Sequence, residues 1–175
     1  GAAMTIKGGT GSGEVNERHA VSILEGMETA GFNVTTKSWL RRYEKEYRKG
    51  EEEYAAEFRR RMLKFDVVNM MGTPYQHPFG QPVTIEDIHD SDTDTCIYVV
   101  ARQAGESADR KLKNHEYSLS DEEKANLAMC AANYEKMIVV INVGSVFDMS
   151  FLDAIAGFGA VVYYAQQGMK GGNAF

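Results

Sequence analysis

One loop gathers the groups best able to do chemistry. Arg102-Gln103-Ala104-Gly105-Glu106-Ser107-Ala108-Asp109-Arg110 sets two carboxylates between two arginines. It follows the apolar run Thr95–Ala101, which reads as a buried strand. In open parallel sheets, ligands bind outside the carboxyl ends of the strands. Two readings fit these residues. In one, the loop is solvated and laced by ion pairs. In the other, Glu106 is a general acid whose proton affinity is tuned by its surroundings.

Other constellations fall short of the chemistry they suggest. Gly8, Gly9, Gly11 and Gly13 invite a phosphate loop, but Glu14 and Val15 stand where Lys and Ser or Thr are required. A dinucleotide fingerprint needs Gly at the position of Glu14, and a carboxylate there repels phosphate. His19, His77, His89 and His115 show no metal-ligand spacing. Asp90, Asp92 and Asp94 alternate like a calcium loop but lack its glycine and distal glutamate, so they read as helix termination. No Gly-x-Ser-x-Gly elbow is present. No metal and no organic cofactor is implied.

Composition narrows the class further. The 175 residues suit a single domain with a sizeable core. Hydrophobic residues at 43% and charged residues at 25% describe a globular chain, not a disordered one. A net charge of −6 argues against nucleic acid as a partner, because phosphate binding needs a basic surface. No apolar stretch approaches the ~18 residues of a membrane span. Cys96 and Cys130 sit in apolar patterns and read as buried free thiols of a reducing compartment, which makes a cytoplasmic location the expectation.

The elements that must position the loop follow from periodicity. A helix is expected from about Glu14 to Ala30, with Gly31 as its C-terminal cap, then a short strand over Phe32–Thr36. Trp39 to about Lys64 reads as charged helix, broken in two at Gly50. Met71 to Pro82 holds all three prolines and reads as a loop. Thr95–Ala101, Met137–Ile141 and Ala160–Tyr164 read as buried strands. Between the first two, a helix starts at Ser120, with Glu123 completing a capping box. Strands without in/out alternation, separated by helices, give an α/β fold: a mostly parallel sheet with helices on both faces.

Several of these segments carry a resemblance. Ala104-Gly105-Glu106-Ser107-Ala108-Asp109-Arg110 is similar to the Ser-Gly-Glu-Gly-x-Asp-Arg loop of family 3 glycoside hydrolases. Tyr117-Ser118-Leu119-Ser120-Asp121-Glu122-Glu123 resembles that family's helix start, and Val139-Val140-Ile141-Asn142-Val143-Gly144-Ser145 its strand and turn. Gln166-Gln167-Gly168-Met169-Lys170-Gly171-Gly172-Asn173-Ala174 resembles its closing segment. Gly11-Ser12-Gly13-Glu14-Val15-Asn16 and Ser22-Ile23-Leu24-Glu25-Gly26 resemble its early loop and first helix. The blocks cover nearly the whole chain in order. Ala104 replaces the usual serine, Ser107 the second glycine, and Gln167 stands where glutamate is common.

The resemblance implies an α/β-sandwich domain over 1–175, a piece of a larger enzyme whose (β/α)₈ barrel lies outside this chain. It implies a β-glucosidase-like retaining enzyme acting on terminal β-linked glucosides or oligosaccharides, with two carboxyl groups ~5–5.5 Å apart. The nucleophile belongs to the barrel. Glu106 matches the acid/base, while in some members a barrel histidine serves instead. Asp109 and Arg110 match a pair that holds the loop by a charge-assisted hydrogen bond. The isolated domain is then expected to be inactive. Tyr75, His77 and Phe79 suit a loop beside the sugar, where aromatic faces stack on rings; a proline-stiffened surface connection fits them equally. The rival class is a non-catalytic module, binding carbohydrate or a partner, that kept the fold.

Overall fold

The computed structural model describes residues 1–9, 18–64, 77–103, 112 and 115–175. Strands β1 (Thr95–Arg102), β2 (Lys136–Val143) and β3 (Ala160–Tyr163) form a parallel sheet in the order β1-β2-β3. The helices are α1 (Ile23–Thr29), α2 (Lys37–Leu63), α3 (Ile85–Ser91), α4 (Asp121–Asn133), α5 (Phe151–Ala154) and α6 (Gly171–Ala174), the last preceded by a 3₁₀ turn at Gly168–Lys170. Among the described residues, no helix is long and apolar enough to cross a membrane.

The continuous apolar runs of β1 and β2 are explained by cover on both faces. Tyr98 and Val100 of β1, with Met137, Val139, Ile141 and Val143 of β2, pack with Leu127, Cys130 and Tyr134 at α4. On the opposite face, Val140 packs with Ile23 of α1 and with Tyr164, joined by Ile97, Val99 and Ile138. Fully burying a side chain such as Leu127 or Val140 stabilises the fold by ~1.5–3 kcal/mol each. The expected α/β architecture, with helices on both faces of a parallel sheet, is what forms.

Local signals decide several boundaries. The helix expected from Glu14 begins at Ile23, because Ser22 caps it by accepting the Glu25 N–H at 3.1 Å; residues 10–17 lie outside the described residues. Gly31, at φ 92°, ends it: the Gly31 N–H donates to Glu28 O and the Phe32 N–H to Met27 O. That pair of bonds is a Schellman motif. The strand expected over Phe32–Thr36 does not form, since this segment is spent linking that motif to α2. Nor does Gly50 break α2, which runs unbroken for 27 residues. One glycine costs a helix only ~1 kcal/mol, and pairs such as Glu44–Arg48 and Glu57–Arg61 support the turns on either side. Asp92 ends α3 in the left-handed region at φ 47°, as helix termination requires. β3 is a strand, but not the buried one expected: all four of its residues are exposed.

One face of α2 docks on the sheet through segment 77–84. Trp39 stacks on Tyr43, and Tyr47 on His77 at 4.2 Å between ring centres. The Trp39 Nε1–H donates to Pro82 O and the Tyr43 hydroxyl to Pro78 O, while Arg42 forks onto Asp87 of α3 at 2.7 and 2.8 Å. From the sheet side, Asn126 of α4 accepts the Val83 N–H and donates to Gln81 O. A cavity of about 100 Å³ remains between α2 and β1, lined in part by Trp39, Tyr43, Val99 and Cys130. Cys96 and Cys130 are free thiols, and the neighbouring Cys130 together with burial pushes the Cys96 thiol pKa up.

Two outcomes follow from this packing. A Cβ on Gly26 of α1 would lie 1.8 Å from the Gly172 carbonyl oxygen of α6. Gly26→Ala should therefore cost ~1–3 kcal/mol in urea unfolding; a change within ~0.5 kcal/mol, as at an ordinary surface site, would refute the contact. Burial against Tyr47 lowers the His77 imidazole from 6.5 to about 4, so the fold accommodates its neutral form. Its contribution is complete above pH 6.5 and is lost as pH falls toward 4, because the unfolded chain takes up the proton first. His77→Phe should flatten the fall in urea midpoint across that window, and an unchanged slope would contradict the assignment.

Candidate active site at the carboxyl end of the sheet

The carboxyl ends of β1 and β2 lie side by side, with Arg102 opposite Val143. Four segments of the chain, 6–8, 102–103, 142–144 and 165–168, meet there. Asn142, fully buried, accepts the Ile6 N–H at 2.7 Å and donates to Ile6 O at 2.8 Å and Ala165 O at 2.6 Å. Gln103 donates to Gly8 O at 2.9 Å, and the Gly168 N–H to Lys7 O at 2.8 Å. The glycine-bearing segment 6–9 is thus laid across the strand ends. Gly144 leaves room for Gln166, whose Oε1 would be 2.3 Å from a Cβ at that position. The Tyr163 hydroxyl closes the far side on Val143 O at 3.1 Å.

Arg102 is the anchor of this surface. Its side chain is 3% exposed and pairs with Glu123, which is 1% exposed. Nη1 donates to Glu123 Oε1 at 2.8 Å and Nη2 to Glu123 Oε2 at 2.5 Å. The remaining donors go to backbone carbonyls: Nη1 to Ala101 O, Nη2 to Ser118 O and Nε to His115 O, each at 2.8 Å. All five N–H groups of the guanidinium are used. Its faces are filled as well, with the Phe79 ring 4.0 Å away and the Phe147 ring 5.3 Å away. Glu123 is held in turn by the capping box at the start of α4: Oε2 accepts the Ser120 N–H at 2.8 Å, and the Glu123 N–H donates to Ser120 Oγ.

The expected site residues fall unevenly on this frame. Glu106, Asp109, Arg110 and Tyr75 lie outside the described residues. The loop that carries the first three leaves from Gln103 and returns by His115, at the carboxyl end of β1. Phe79 is joined to the base of that loop through its contact with Arg102. His77 is not; it lies against α2, stacked on Tyr47 with its Nε2 3.0 Å from the Tyr47 hydroxyl. Sequence reasoning missed the pairing of Arg102 with Glu123. Arg102 reads as one of two arginines flanking the loop, and Glu123 as a helix cap. The available signal was a charged residue directly after an apolar strand, where only a buried partner makes burial tolerable.

Comparison with known proteins agrees with the fold. The family model described as the Glycosyl hydrolase family 3 C-terminal domain matches residues 1–175. A beta-glucosidase of Ruminococcus albus is 33% identical over 171 residues, which are 95% of this chain and 16% of that protein. Beta-glucosidase 3B from Thermotoga neapolitana, solved with glycerol, superposes with a TM-score of 0.68 at 28% identity, over 99% of this chain and 23% of that one. A beta-glucosidase from Paenibacillus barengoltzii gives the same TM-score at 24% identity, over 18% of its chain, and shares the fold. The chain therefore spans under a quarter of the length of these relatives. With its parallel sheet, its ordered blocks and a family match over every residue, the chain belongs to glycosyl hydrolase family 3, as that family's C-terminal domain.

Proposed function

We propose that this domain supplies the general acid/base of a retaining β-glucosidase-type site, and that Glu106 is that residue. The observation that carries the reading is the strand end from which the Glu106 segment departs. A segment resembling the family's acid/base loop emerges at the carboxyl end of β1, where open α/β sheets hold their ligands. The relatives named beta-glucosidase favour a terminal β-D-glucoside as substrate. Their much greater length is consistent with a second domain, a (β/α)₈ barrel bearing the nucleophile, that closes the site from the other side.

In this reading Glu106 enters the reaction protonated. It gives its proton to the glycosidic oxygen as the barrel carboxylate attacks the anomeric carbon and the C–O bond breaks. It then takes a proton from the water that hydrolyses the glycosyl ester. Protonation at the first step needs a raised pKa, which desolvation and the nearby nucleophile supply. The pKa falls once that nucleophile is neutralised as an ester. Asp109 and Arg110 hold the loop by a charge-assisted hydrogen bond. Of the aromatic segment, Tyr75 is the member we assign to a sugar face. The packing of His77 on Tyr47 and of Phe79 on Arg102 favours a supporting role for those two.

Glu106→Gln in the full-length protein should lower kcat/KM on alkyl β-glucosides by about 10²–10⁴-fold, the usual worth of a positioned acid. Azide should restore turnover of activated aryl glucosides as the glucosyl azide forms. Activity unchanged by Glu106→Gln would instead make the domain a binding module.

A further inference from the structure

We propose that the Arg102–Glu123 pair is a positioning device for proton transfer, fixing the two stems between which the Glu106 segment runs. The inference rests on reading Glu106 as the acid/base. The geometry behind it is a single planar group that holds both stems of one loop. Ala101 O, on the outgoing stem, accepts from Nη1. His115 O and Ser118 O, on the returning stem, accept from Nε and Nη2. Twelve residues, 103 to 114, lie between Arg102 and His115. Any rotation of the guanidinium therefore moves the two ends of that loop together.

The pair is costly for a purely structural part. Two charges so fully buried lose their hydration, and an apolar pair of similar volume often holds a core at least as well. What an apolar pair cannot do is fix directions. The fork from Arg102 to Glu123 is bidentate, and the Ser120 N–H holds the carboxylate against α4. The guanidinium thus takes its orientation from a helix N-terminus and passes it to the stem carbonyls of Ala101, His115 and Ser118. Phe79 and Phe147 block its faces, leaving one orientation. His115, in the left-handed region at φ 56°, presents its carbonyl to Nε. Lysine has the charge but not the fork, so it cannot replace these five bonds.

The test compares leaving groups in the full-length protein. kcat/KM reports the first step, in which a weakly acidic aglycone needs the proton and 2,4-dinitrophenolate does not. Arg102→Lys should lose about 10²-fold on alkyl or 4-methoxyphenyl β-glucoside, the scale of a catalytic group displaced by ~1 Å, and less than about tenfold on the 2,4-dinitrophenyl glucoside. Arg102→Met/Glu123→Leu, which removes both buried charges, should give the same steep dependence while circular dichroism and thermal unfolding report a folded protein. Equal losses across all leaving groups, or a double variant as active as the parent, would overturn the positioning role. Glu106→Gln run beside them separates the two claims. If it is steep while the Arg102 variants are flat, the positioning role alone fails. If Glu106→Gln is itself flat, the acid/base reading fails and takes the positioning role with it.

Discussion

Burial of β2 on both faces is the constraint from which the other elements take their places. Every residue from Val139 to Val143 is inaccessible to water. Met137, Val139, Ile141 and Val143 point toward α4, and Ile138 and Val140 toward α1, so the strand needs a helix on each side. Once those helices are in place, the parallel register with β1 brings Arg102 level with Val143. The carboxyl ends of both strands then open on one surface. The sandwich is thus less a container for the site than a means of aligning two strand ends.

At that surface the polar residues are those the sheet can satisfy. Asn142 is fully buried yet makes three hydrogen bonds, two of them to one residue of segment 6–9. Arg102 and Glu123 are buried together, and each satisfies the other. Neither arrangement is explained by stability alone, since buried polar groups at best offset their own desolvation. Both fix backbone segments at the place where loops leave the strands. The aromatic face of α2 extends the same frame, bringing Phe79 under the guanidinium through segment 77–84.

The sequence carried much of this in plain form. The apolar runs of β1 and β2, the Ser120–Glu123 capping box and the Gly31 cap are local signals, each determined by a few neighbouring residues, and they appear where the residues put them. What failed was decided at a distance. Phe32–Thr36 has the composition of a strand but pairs with no strand among the described residues. Gly50 is a weak breaker inside a helix held by flanking ion pairs and by the docking of Trp39, Tyr43 and Tyr47. β3 has strand residues, but burial depends on what lies beside a strand, which its own residues do not encode. The pairing of Arg102 with Glu123 spans 21 residues and joins a strand end to a helix cap, so neither partner announces the other. The family blocks were legible because short motifs preserve chemistry; among the described residues, the strand-and-turn block meets the closing block where Gly144 faces Gln166, and the helix-start block is tied to the end of β1 through Arg102.

The central claim is that the loop held by Arg102 delivers a carboxyl group to a site completed by another domain. A crystal structure of the full-length protein bound to a non-hydrolysable β-glucoside tests it most directly. The Glu106 carboxyl should lie within hydrogen-bond reach of the glycosidic oxygen and ~5–5.5 Å from a second carboxylate, the spacing of a retaining pair. A sugar bound with Glu106 turned away from the scissile oxygen, and another group in its place, would contradict it.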